Sequence, residues 1–280
     1  MMNQKWKGFW GFLLILVLVH AWLIGGANQP SVKGESNYFS TLARLQTAAR
    51  VETPQIAFVG SSLTGRFPME CLGRKGINLG CDGGSSLDSM LLLSSGSFKV
   101  PPHVVIEANV LESDSTSLRG IAEGGWFKLG VELPGFSAAY RPSSLFYRCL
   151  KQSVSHLDSG VNMRAAQWAA FRERPKVPVS KHEIKDASLA EYARITELVV
   201  ALKKTGCRVM VVWIPNGRGR GELSQKQVGQ AEQMAADCNV PFFDLRELDE
   251  LKLVDYTDGV HLDERSAANV VQLIEYQLDP

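Results

Sequence analysis

The sequence predicts an α/β fold: a three-layer α/β/α sandwich around a central parallel sheet, preceded by one N-terminal transmembrane helix. Three observations carry this. Short runs that are apolar throughout, such as "QIAFVG" and "RVMVVWIP", suit strands buried on both faces. These runs alternate with amphipathic stretches at helical spacing, the order that gives a parallel sheet covered by helices. A chain of 280 residues, 45% of them hydrophobic, is long enough to build one sizeable core.

The elements follow in order. Lys5 and Lys7 precede "GFWGFLLILVLVHAWLIGG", an apolar run of about 18 residues, at the lower edge of what spans a bilayer. Basic residues before the run and few after it place the N-terminus in the cytoplasm and the bulk outside. Trp10 and Trp22 stand where interfacial aromatics would anchor it. The length of the run favours an uncleaved anchor over a signal peptide cleaved near Gly25 and Ala27. Both readings export the remainder, and its flanking lysines argue against a buried soluble helix. Residues 1–27 are therefore read as anchor or signal peptide, and 28–53 as a linker and a helix over "YFSTLARLQTAAR".

From residue 54 to 280 the chain reads as one domain. A strand in "QIAFVG" leads to a short strand and glycine-rich turn in "GINLGCDGGSS", then to a helix in "SLDSMLLLSSG". A buried strand follows in "HVVIEANVL". Residues 112–183 break the alternation with Gly, Pro and aromatics and are read as an insertion after the third strand. Loops at the carboxyl ends of parallel strands surround the ligand site, so this insertion is expected to shape access. The long helix "DASLAEYARITELVVALKKTGC" ends at Gly206, and "RVMVVWIP" is the next strand. A helix capped by Ser224, a strand in "VPFFDL" and a last helix in "ERSAANVVQLIEYQL" complete the chain.

Composition excludes some functions. Lys+Arg is 30 and Asp+Glu 29, a net charge of +1, so no basic field exists to hold nucleic acid phosphates. Among Cys71, Cys81, Cys149, Cys207 and Cys238 there is no C-x-x-C or Cys/His ligand spacing, so no metal site is expected. Export would permit a disulfide, Cys71 and Cys81 being the nearest pair, and the odd count leaves at least one thiol unpaired. Glycines in "IPNGRGRGELS" miss the G-x-G-x-x-G spacing, so no dinucleotide cofactor is expected. Arg218 and Arg220 in that loop leave the same sheet edge as Ser62 and could meet an anionic substrate.

The chemistry centres on "VGSSLTGRF". A serine just after a buried strand sits at the carboxyl edge of the sheet, among exposed backbone N–H groups. A serine there can equally serve as a cap. Its hydroxyl is a poor nucleophile without a base. His261 in "DYTDGVHLDERSA" is the candidate base, and Asp258, three residues earlier, the candidate orienting acid. The alternative is that Asp258 or Asp263 caps the last helix and His261 is a solvated loop residue.

Together these residues resemble the SGNH hydrolases, the GDSL family. "VGSSLTGRF" resembles the first block, with Ser62 at the nucleophile; "INLGCDGG" the second, with Gly80 at the oxyanion glycine; "VVIEANVL" the third, with Asn109 at the oxyanion asparagine; and "DGVH" the fifth, with Asp258 and His261. Four motifs in the family's order cover residues 54–277 outside the insertion. Three positions depart from the pattern: Ser61 stands for the aspartate beside the nucleophile, Glu107 for the glycine of the third block and Val110 for that block's aspartate. Glu107 is read either as a buried strand residue paired with an arginine or as a substrate contact.

The resemblance implies a flavodoxin-like SGNH fold without a cofactor, and a serine esterase hydrolysing O-acyl esters, O-acetyl above all, with the oxyanion held by Ser62, Gly80 and Asn109. Export, together with Trp126, Tyr140, Tyr147 and Trp168, suits an acylated carbohydrate of the bacterial cell envelope as substrate, a small ester being the alternative, and these aromatics can equally belong to the core. The domain would face the periplasm or the exterior from an inner-membrane anchor, or be secreted if the anchor is cleaved. One alternative is a polysaccharide O-acetyltransferase with the same triad and a membrane acyl-donor protein as partner. The other is a non-catalytic glycan-binding or scaffold protein.

Overall fold

The computed structural model describes residues 4–26, 36–111, 118, 120–145, 189–217, 222–246, 248 and 254–278. Five strands form one sheet: β1 (Ile56–Val59), β2 (Gly76–Asn78), β3 (His103–Glu107), β4 (Arg208–Trp213) and β5 (Phe242–Asp244). Their spatial order is β2-β1-β3-β4-β5, and every neighbouring pair is parallel. This is a doubly wound order whose connections reverse direction between β1 and β3. A crevice therefore opens at the carboxyl ends of those two strands, where such sheets bind their ligands.

The helices are α1 (Gln4–Gly26), α2 (Asn37–Ala49), α3 (Ser86–Ser94), α4 (Gly125–Glu132), α5 (Leu189–Lys204), α6 (Glu222–Asp237) and α7 (Glu264–Leu278). Side chains alternate along each strand, so the sheet has two faces and each carries its own core. Ala57, Val59, Val104, Ile106, Val209 and Val211 pack with α2, α3, α5 and α6. Ile56, Phe58, Val105, Met210 and Val212 pack with α7 and with Leu63 and Phe67. Both faces are covered, which explains why the strands read as apolar throughout rather than alternating.

Local signals explain most element ends. Ser36 caps α2 by accepting from the Phe39 N–H at 3.3 Å, and Ser85 with Asp88 forms a reciprocal capping box at α3. Gly206 ends the chain's turn after α5 at φ +84°, a conformation glycine adopts without strain. Asp263 caps α7 by accepting from the Ser266 N–H at 2.8 Å. Expectation and structure differ at α6: the helix already runs at Glu222, so Ser224 lies inside it rather than at its cap. Glu and Leu at 222 and 223 are good helix formers and carry the turn beyond the serine.

The described part of the insertion holds α4 and two 3-10 turns, Pro134–Phe136 and Ala138–Tyr140. Gln46 of α2 and Arg50 just beyond it fasten it by hydrogen bonds. The Gln46 amide donates to the carbonyl of Trp126 at 2.8 Å and accepts from the Ala138 N–H at 2.7 Å. Arg50 adds a hydrogen bond to the Gly130 carbonyl at 3.0 Å. Trp126 is exposed and Tyr140 packs against the core; Tyr147, Trp168, Arg218 and Arg220 lie outside the described residues.

Cys71, Cys81, Cys207 and Cys238 are free thiols, so the expected nearest pair is not bridged. Cys81 is fully buried behind the end of β1, whereas Cys71 is half-buried in a separate turn. Burial pushes the Cys81 thiol up to about 12 and the Cys207 thiol up to about 11, which keeps both protonated and unreactive. Among the described residues no helix is long and apolar enough to cross a membrane.

Candidate active site

β1 delivers the chain to the crevice and stops at Gly60. Residues 61–65 then fold into one tight turn closed by the Gly65 N–H donating to the Ser61 carbonyl at 3.0 Å. Glycine is required at 60 because a Cβ there would lie 2.7 Å from the Cβ of Glu107, the last residue of β3. Through this gap the Glu107 carboxylate enters the turn. Its Oε2 accepts from the Ser61 N–H at 2.9 Å, the Thr64 N–H at 3.1 Å and the Thr64 hydroxyl at 2.6 Å. Its Oε1 accepts from the Ser61 hydroxyl at 2.5 Å. Burial pushes the Glu107 carboxyl above the usual carboxylate range, and these four hydrogen bonds pull the other way. Neither expected role for Glu107 describes this: its partners are the turn itself.

β2 supports the same turn from the other side. Asn78 donates from Nδ2 to the carbonyls of Thr64 at 2.8 Å and Phe67 at 3.1 Å, and its Oδ1 accepts from the Gly80 N–H at 2.9 Å. Gly80 approaches so closely that a Cβ would lie 2.8 Å from the Ser61 carbonyl oxygen. The buried Arg44 of α2 donates to the Gly80 carbonyl and pairs with Asp82 at 3.3 Å, fixing the loop beyond β2. Sequence reading missed Asn78 and Arg44. A polar residue closing a buried strand and a single arginine among the apolar positions of α2 were the available signals.

Asn109, just past β3, is bonded to the main chain at the end of β4. Its Oδ1 accepts from the Ile214 N–H and its Nδ2 donates to the Ile214 carbonyl, both at 2.8 Å. The carboxamide is thereby held at the same edge of the sheet as Ser62, with one Nδ2 hydrogen remaining.

The third part comes from the turn before α7. Asp258 Oδ1 accepts from the N–H groups of Val260 at 3.0 Å and His261 at 2.8 Å. Gly259, at φ +80°, makes this tight return possible. The other carboxylate oxygen lies 2.7 Å from His261 Nδ1, and His261 Nε2 lies 2.9 Å from the Ser62 hydroxyl oxygen. Burial alone would raise the Asp258 carboxyl, but hydrogen bonds from His261 and Val260 hold it below the usual range. An ionised Asp258 keeps the proton of neutral His261 on Nδ1, which turns the Nε2 lone pair toward Ser62.

The three residues singled out from sequence, 199 positions apart at their extremes, are thus joined in one hydrogen-bonded chain. Asp263, not Asp258, is the helix cap. Of the three expected oxyanion donors, Ser62 and Asn109 keep a free hydrogen among the described residues. The Gly80 N–H is committed to Asn78, which would compete with an oxyanion for the same proton. Such an arrangement can activate a hydroxyl by proton removal and hold the negative charge that forms when it attacks a carbonyl. No protein-family model matches the chain, and no curated protein matches it by sequence.

Proposed function

We propose that the chain is a serine esterase that hydrolyses O-acyl esters, O-acetyl groups first among them. The supporting observation is the unbroken chain from Asp258 Oδ2 through His261 to the Ser62 hydroxyl, at 2.7 and 2.9 Å. His261 takes the proton as Ser62 Oγ attacks the ester carbonyl, and returns it to the departing alcohol. A water then attacks the acyl-serine, giving its proton to His261, which passes it to Ser62 Oγ as the carboxylic acid leaves. Asp258 stays ionised and orients the imidazole throughout. The negative charge of each tetrahedral state is held by the Ser62 N–H and the remaining Asn109 Nδ2 hydrogen.

Water as acceptor is favoured by the open side of the site: the Asp258 side chain is 51% exposed. The four-motif resemblance to the SGNH hydrolases supports the same reading and a doubly wound fold of that kind. An acylated cell-envelope carbohydrate is proposed as substrate, with the domain held outside the cytoplasm by α1. The support for that anchor is the ring of outward apolar side chains from Phe9 to Val19, each at least 38% exposed, behind Lys5 and Lys7. Extraction of membranes with alkaline carbonate checks the anchor; release of the full chain into the soluble fraction would count against it.

The function is tested by acetate release from an aryl acetate, wild type beside Ser62→Ala, with and without an added glycan. Loss of about 10⁴-fold in Ser62→Ala is expected. Acetyl transfer to the glycan in place of release would make the chain an acyltransferase, and equal rates in the two proteins would remove Ser62 from the chemistry.

A further inference from the structure

β3 is apolar along its buried length until Glu107, which is 1% exposed. Among the described residues no basic side chain pairs with it. A buried carboxylate without a cation is costly unless its oxygens are fully hydrogen-bonded. Here all four donors come from the turn that carries Ser62: two from Ser61 and two from Thr64.

The amides of that turn show the consequence. The N–H groups of Ser61 and Thr64 go to Glu107, that of Leu63 to the Ser61 hydroxyl at 3.2 Å, and that of Gly65 to the Ser61 carbonyl. Of residues 61–65 only Ser62 keeps an N–H without a protein acceptor among the described residues. Glu107 therefore occupies the competing donors on either side of the one amide placed to meet an oxyanion.

We infer that Glu107 is a positioning residue for Ser62: its carboxylate clamps Ser61 and Thr64, aims the Ser62 hydroxyl at His261 and leaves the Ser62 N–H as the free donor of the turn. This rests on the serine reading above. It also joins two of the three departures from the motif pattern, since Ser61 and Glu107 touch at 2.5 Å. The acid that the pattern sets beside the nucleophile is supplied here from the neighbouring strand.

The test uses the full chain and a fluorophosphonate, which forms a bond from Ser62 Oγ to phosphorus, expels fluoride and leaves the proton on His261. The labelling rate of Ser62 is followed by mass spectrometry, with Tm for each variant. Glu107→Gln keeps the shape but turns donors toward Ser61; labelling about 10–100-fold slower is expected, with kcat for an aryl acetate falling and KM little changed. Ser61→Asp sets a second acid against Glu107 and should also label slowly. The pair Ser61→Asp with Glu107→Gly, which returns the acid to the turn, should label faster than either single variant. Wild-type labelling in Glu107→Gln, with or without a lower Tm, overturns the inference while leaving Ser62 as nucleophile. Multiplying losses in the double variant also overturn it. Labelling that persists in Ser62→Ala would instead defeat the serine reading itself.

Discussion

The turn that carries Ser62 is buried and built by three strands, whereas the turn that carries Asp258 and His261 faces solvent and is built largely from itself. Ser61, Thr64 and Glu107 are each no more than 4% exposed, and their partners lie on β2 and β3. Asp258 bonds its own neighbours two and three residues on. Ser62 is therefore set by the core, and His261 by a local return of the chain that α7 holds in place. Stability and catalysis should be inseparable in the first region and separable in the second.

The largest effect expected from that contrast is catalytic. Asp258→Asn should lower kcat by about 10³-fold, less than for a fully buried acid because water can reach it, while Tm at neutral pH barely moves. Steady-state kinetics beside differential scanning calorimetry reads both; a kinetic loss below tenfold would mean that solvent replaces the acid. The paired glycines sharpen the comparison next. Gly60→Ala drives a methyl into Glu107 and should cost about 2–4 kcal/mol in urea unfolding, with activity lost alongside. Gly259→Ala places a side chain on left-handed backbone at φ +80° and should cost about 1–2 kcal/mol. Equal costs would erase the distinction between the two turns.

Acid provides a smaller effect with a definite sign. Because the folded protein holds the Asp258 carboxyl below its ordinary value, its ionised form adds stability at neutral pH. That contribution is complete above the ordinary carboxylate range and is lost as the pH falls through the lowered value. The Tm difference between wild type and Asp258→Asn should thus be small and should close in acid; a difference that widens there would contradict the hydrogen-bonded turn. The smallest expected effect is none: iodoacetamide at pH 8 should leave Cys81 and Cys207 unmodified in the native protein, as peptide mass mapping would show.

Much of this was legible in the sequence. Strands that lie under helices on both faces must be apolar at every position, so β1, β3 and β4 stood out, and the helices between them repeated at their own period. Ser62 was legible from its place after β1, and Asp258 with His261 from a three-residue spacing that a single turn can close. Glu107 was visible as an acid ending an apolar strand, but not its partner. Ser61 lies 46 residues away, and only the pairing of Val59 with Ile106 brings the ends of β1 and β3 level. The commitment of the Gly80 N–H to Asn78 was hidden for a similar reason: a motif marks a position, not the direction in which its hydrogen points.

The sequence by itself determined which segments are buried, their alternation and the three residue types of the relay, because burial and period are local properties of the chain. Strand order, the entry of a carboxylate through the gap at Gly60, and the choice of Ser62 as the turn's one uncommitted amide were decided only by tertiary structure. Those depend on register between strands distant in sequence, and a hydrogen bond forms or fails within a few tenths of an ångström.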